Sequence, residues 1–141
     1  MIQRDYILRM IEEAAQAISA LIGMRKGGKY EEMLKVLGET YRAYFPFDGE
    51  LLRNTEEEDF IAYITKTEDV PEEMLGVLAD LLREEGEYWF FQGQYDKSSA
   101  NFRRAVMILK HQNKLEPGLY SMDRVQKLSV LEKLLDRLKS S

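Results

Sequence analysis

Groups in this chain that could move protons or hold a divalent ion include the neighbouring carboxylates Glu12 and Glu13, Glu31 and Glu32, Glu56 to Asp59, and Glu84 and Glu85, together with the one histidine, His111. General acid and base chemistry, or a metal site, needs such groups to converge. Adjacent residues on a helix point in different directions, so most of these pairs are expected on exposed faces. A single histidine excludes a two-histidine metal centre, and no Glu-x-x-His pair suggests a di-iron bundle. His111, beside Lys110 near a helix end, is expected as a solvated or dipole-compensating imidazole. There are no cysteines, so thiolate metal sites, thiol nucleophiles and disulfides are excluded. No catalytic residue, cofactor or metal is assigned.

The segment Gly23 Met24 Arg25 Lys26 Gly27 Gly28 Lys29 Tyr30 nearly spells a phosphate-cradling loop. That loop follows a strand, opens a helix and holds its metal through a Ser or Thr hydroxyl. Here a helix precedes it and Tyr30 replaces the hydroxyl residue, which argues for coincidence.

The elements that would position any such groups read as helices throughout. Ile7, Met10, Ile11, Ala14, Ile18, Leu21 and Ile22 recur at three and four residue steps and predict a helix from about Arg4 to Lys26. Gly27 and Gly28 stop it. Tyr30, Met33, Leu34, Leu37 and Tyr41 carry a second helix that ends before Pro46. Residues 45–70 read as an irregular connector, with a turn at Phe45 to Gly49, a capping box at Thr55 to Glu58 and a short helix near 56–65. Pro71 is expected in the first turn of a helix reaching about Gln92, followed after Gly93 by another to about Gln112. A loop is expected at Asn113 to Tyr120. Ser121 caps a last, leucine-rich helix over about 121–139, whose Leu128, Leu131, Leu135 and Leu138 suit either a lid over the fold's end or a dimer seam. The expected class is all-α: one domain over residues 1–141, with hairpins over about 4–44 and 72–112.

Charge divides along the chain. The net charge is −5, yet residues 48–87 hold 14 acids against 3 bases and residues 97–141 hold 10 bases against 4 acids. These blocks either face each other within the fold, lie on solvated faces, or form a polar docking surface. An acidic chain without a recognisable module is not expected to bind nucleic acid. Charges interrupt the apolar residues of the first helix, so neither a membrane span nor a signal peptide is expected, and a cytoplasmic setting is.

Gly28 Lys29 Tyr30 and Gly93 Gln94 Tyr95 are one turn used twice, 65 residues apart. In the second unit Gly86, Trp89, Gly93, Tyr95, Ser98, Phe102 and Ala105 place a small residue opposite a small one, with aromatics beyond. Each tyrosine is expected to fold its ring back over its hairpin. This spacing resembles the tetratricopeptide repeat, closely over about 79–112 and loosely over about 14–45. Leu21 and Met33 replace the small pair in the first unit, Glu85 stands where that family usually has an apolar residue, and Lys110 where a proline often closes the repeat. The interval also departs from the family's period of about 34. The chain, opening Ile2 Gln3 Arg4 Asp5 Tyr6 Ile7, is also similar to a family of small uncharacterised bacterial helical proteins, a likeness that brings no activity.

The resemblance implies a protein-binding scaffold with a groove lined by Asp80, Arg83, Glu87, Phe90 and Phe91. The matching residues of the first unit are Ala15, Ile18, Ile22, Arg25 and Lys26. Three are apolar, so that side of the first helix should be covered by the last helix or by another subunit. The expected function is a non-catalytic protein–protein interaction module, binding another protein or a second copy of itself. The alternative is a small-ligand sensor or enzyme with a pocket around Tyr41, Tyr44, Trp89 and Phe90, using Arg83 or His111 as polar contacts.

Overall fold

Among the described residues Gly28 and Gly93 are those of positive φ, at +70° and +76°, and each ends a helix in the same way. The amide of Gly28 donates to Arg25 O and that of Lys29 to Met24 O, while Gly93 donates to Phe90 O and Gln94 to Trp89 O. Only a residue without Cβ reaches this conformation cheaply, so the glycine fixes where each hairpin turns.

The computed structural model describes residues 4–67, 69–115 and 121–140. Among these are seven α-helices and no strand: α1 (Arg4–Lys26), α2 (Tyr30–Tyr44), α3 (Gly49–Asn54), α4 (Glu57–Thr65), α5 (Leu75–Phe91), α6 (Tyr95–Leu115) and α7 (Met122–Lys139). A single 3₁₀ turn at Glu72–Met74 leads into α5. The all-helical class and both hairpin turns are as the sequence predicts.

The core centres on α5, where Leu75, Leu78, Leu81 and Leu82 are buried. The α6 helix returns along it: Ser98 Oγ donates to Gly86 O at 2.7 Å and Asn101 Nδ2 to Leu82 O at 3.0 Å. A Cβ on Gly86 would lie 2.5 Å from the ring of Phe102, so glycine is what lets this ring sit against α5. The expected pairing of Gly86 with Ser98 is therefore present. On the other side α1 and α2 pack along α5.

Several local expectations change. The connector is part of the core, since Phe45, Phe47, Leu52, Phe60 and Ile64 are buried. It also contains α3, whose six residues are too few to show a periodicity. There is no capping box at Thr55. Its hydroxyl donates backwards to Leu51 O, the residue ends α3, and Glu56 opens α4 without a side-chain cap. Asp48 caps α3 instead, its Oδ1 accepting from Leu51 N at 2.9 Å. Pro71 stands before the 3₁₀ turn, its carbonyl accepting from Met74 N, and not in the first turn of α5. The fourth long helix reaches Leu115, three residues beyond the expected end. Ser121 caps α7 as expected, accepting from Arg124 N at 3.2 Å. The remaining loop residues 116–120 and the opening Ile2 and Gln3 lie outside the described residues.

Candidate functional site

The sequence Glu84 Glu85 Gly86 Glu87 puts three carboxylates on α5, and all three are buried, at 1%, 6% and 5% exposure. Glu84 and Glu85 belong to the pairs mostly expected on exposed faces. A buried carboxylate needs partners, and here they come from elements too distant in sequence for helical spacing to reveal.

Glu85 faces α2 and α3. Its carboxylate accepts from Tyr41 Oη at 2.7 Å, from Trp89 Nε1 one turn along α5 at 2.8 Å, and from the Arg53 guanidinium. Arg53 also donates to Asn101 Oδ1 at 3.3 Å. Gly49 lies so close to the carboxylate that a Cβ there would overlap it, which accounts for glycine opening α3. Burial, then the neighbouring carboxylate, pushes the Tyr41 phenol well above its ordinary value, so it remains a donor. Three protein donors converge on Glu85, an arrangement that ties α2, α3 and α5 together and leaves the carboxylate poorly placed to accept a substrate proton. Trp89 also has two cations near its ring, with Lys97 Nζ at 4.3 Å from the ring centroid and Arg53 Cζ at 5.2 Å.

Glu84 and Glu87 face the other way, since residues three apart share a helix face. Arg25 of α1 donates to Glu84 through Nε at 2.7 Å and lies 3.6 Å from Glu87. Burial alone would lower the Arg25 pKa, but Glu84 and Glu87 outweigh it and raise it. Arg137 of α7 donates to Glu87 at 2.7 Å and stacks its guanidinium 3.6 Å from the Phe90 ring centroid. Two turns earlier on α5, and about three turns earlier on α7, Lys127 Nζ reaches Asp80 at 3.1 Å. The pairs Asp80 with Lys127 and Glu87 with Arg137 run in the same order, so α7 lies parallel to α5. At Asp80 burial outweighs the pull of Lys127 and raises the carboxyl pKa. At Lys127 burial is outweighed by Asp80 and Asp123, and the ammonium pKa rises.

The acidic block thus meets the basic block directly, through these pairs and through Glu57 with Arg103 and Arg104. Arg104, which sequence reasoning did not single out, is 4% exposed. It donates to Leu52 O at 2.9 Å, Arg53 O at 3.2 Å and Thr55 O at 2.7 Å, carbonyls at and just beyond the end of α3. Burial lowers its pKa, opposed by Glu57.

The five expected groove residues therefore have distinct surroundings. Asp80, Glu87 and Phe90 contact α7. Arg83 borders a half-open cleft of about 210 Å³ lined by α1, α5, α6 and α7, with Ile18, Ile22, Val130 and Leu131 among its walls. Phe91 is 50% exposed and packs 4.9 Å from Tyr30, while Tyr95 packs 5.3 Å from Phe90. Tyr95 thus folds over its own hairpin as expected. Tyr30 instead crosses to α5, and four rings form a chain at the hairpin corner. In the first unit Ile18 is buried and Ile22 half-buried beside α7, whereas Ala15 and Lys26 are exposed.

The residues of the alternative pocket divide. Tyr41 and Trp89 meet on Glu85, Phe90 lies under Arg137, and the Tyr44 hydroxyl is 3.4 Å from Glu13 Oε2. His111 is half-buried in the last turns of α6. Among the described residues no three His, Asp or Glu side chains are grouped to hold a metal ion, and no helix is long and apolar enough to cross a membrane. Comparisons with protein-family models, with curated proteins and with solved structures find no match to this chain.

Proposed function

We propose that this chain is a non-catalytic protein–protein interaction module, built from tetratricopeptide-like hairpins and acting inside the cell on another protein or on a second copy of itself. The observation that carries this reading is the outer face of α5. Asp80, Glu87 and Phe90 there receive a helix, α7, through ion pairs and a guanidinium–aromatic contact, which is the chemistry of helix recognition. Beside it the ring chain Tyr30, Phe91, Phe90 and Tyr95 supplies aromatic surface of the kind that anchors protein interfaces. In this reading α7 also closes the end of the hairpin array, its Leu131 buried and Leu128, Leu134, Leu135 and Leu138 packed against the core.

The buried carboxylates support the same reading, because their partners are protein donors that join elements. Light scattering on the purified protein, combined with capture from the source cell, tests it. The expected result is a stoichiometric complex or a dimer. A strict monomer that retains nothing would contradict it, as would a turnover abolished by replacing one side chain.

A further inference from the structure

Resting on the interaction-module reading, we infer that α7 is a displaceable internal ligand of the groove formed by α1, α5 and α6, the last of which it packs along, and that the external partner is a basic, leucine-rich helix of another protein.

Charge complementarity selects this occupant. The groove presents Asp80, Glu84 and Glu87, and α7 answers with Lys127 at 3.1 Å from Asp80 and Arg137 at 2.7 Å from Glu87. A helix carrying two cations about three turns apart, with leucines between them, satisfies the same acids. The seat is nevertheless imperfect. Of the 18 residues of α7 only Leu131 is buried, against 11 of the 17 in α5. A half-open cleft of about 210 Å³, rimmed by Asp80, Arg83, Glu84 and Lys127, remains where Val130 and Leu131 of α7 lie beside Ile18, Ile22 and Ala79. Space without partner atoms forfeits contacts, so a helix bearing a bulkier apolar side chain at that point fits better. Lys127 does not fully offset the burial of Asp80, whose carboxyl pKa is raised.

The groove also retains a cation without α7. Arg25 of α1 bonds Glu84 at 2.7 Å and lies 3.6 Å from Glu87, so removal of α7 does not strand two buried carboxylates. Elements that open reversibly are drawn from the least buried parts of a fold, and α7 is such an element.

The test uses the full chain and a fluorescently labelled synthetic peptide of residues 121–140, read by anisotropy. In the double variant Lys127→Glu with Arg137→Glu the attached helix is repelled by the groove acids. This variant is expected to bind the peptide at least tenfold more tightly than wild type does. Adding Glu87→Lys should remove that gain, and a peptide carrying Val130→Phe should bind more tightly than the native sequence. Equal affinity for wild type and the double variant, or a gain indifferent to Glu87→Lys, would overturn the inference. If the double variant fails to fold, hydrogen exchange on wild type decides: α7 amides exchanging together at least a hundredfold faster than those of α5 support it, and equal protection overturns it. A wild-type dimer that exchanges α7 between copies would also overturn the assignment to a foreign helix. A module that binds its partner on a face away from α5 would pass the capture experiment and fail this one.

Discussion

The Tyr41 hydroxyl on α2 donates to the Glu85 carboxylate on α5 at 2.7 Å, with both side chains buried. Because Arg53 and Trp89 share that carboxylate, Glu85 is where three elements are fastened. Removing one member of a buried charge pair leaves the other without compensation, so Glu85→Ala should cost about 3–5 kcal/mol in denaturant unfolding. Replacing both partners, as in Glu85→Leu with Arg53→Leu, should recover much of that loss. A double variant no more stable than Glu85→Ala would show that the pair is not what burial strands.

Alkaline titration follows from the same contact. The folded state holds the Tyr41 proton more tightly than the unfolded state does, so stability should fall as pH rises above the ordinary tyrosine value of 10.0. Ultraviolet absorbance of tyrosinate should show one phenol that ionises only as helical circular dichroism is lost. Tyr41→Phe should abolish that last step; its persistence would place the late phenol elsewhere.

Two glycines in helices should respond in opposite directions. Gly23, exposed in α1, has open space where a Cβ would stand, and Gly23→Ala should stabilise by about 0.5–1 kcal/mol through helix propensity. At Gly86 the added methyl meets Phe102, and overpacking of about 1–3 kcal/mol should exceed that gain. Thermal melts of the two variants should move to opposite sides of wild type.

Arg104→Met should release α3. The side chain holds three carbonyls at the end of that helix, and losing charged hydrogen bonds to buried acceptors costs about 2–3 kcal/mol. Hydrogen exchange should show α3 deprotected while α5 keeps its protection relative to global unfolding. Uniform loss of protection would indicate that Arg104 supports the whole core equally.

The hairpins were legible because their determinants are local. A glycine of positive φ, an apolar stripe and a small residue opposite a small one lie within a few turns of one another, and Gly28, Gly93, Gly86 and Ser98 do as their spacing implies. The buried carboxylates were legible only as an oddity, with Glu85 at a position the tetratricopeptide pattern keeps apolar. Its meaning depends on Tyr41 and Arg53, which reach it from other helices, and no helical periodicity encodes such meetings. Asp80 and Glu87 followed the same logic: the opposed charge blocks left a meeting as one reading beside solvated faces and a docking surface, without saying which residues would meet. The short α3 was missed because six residues carry too little pattern, although Asp48 ahead of Gly49 is a recognisable cap.

The central claim is that this chain works by binding a protein through the outer face of α5. The most direct measurement is quantitative capture from the source cell with immobilised wild type and with Phe91→Asp, a substitution at a half-exposed ring that leaves the buried network untouched. A protein retained by wild type and lost from the variant, with both melting alike, is the predicted result. The same proteins on both supports, or none on either from a monomeric chain, would contradict it.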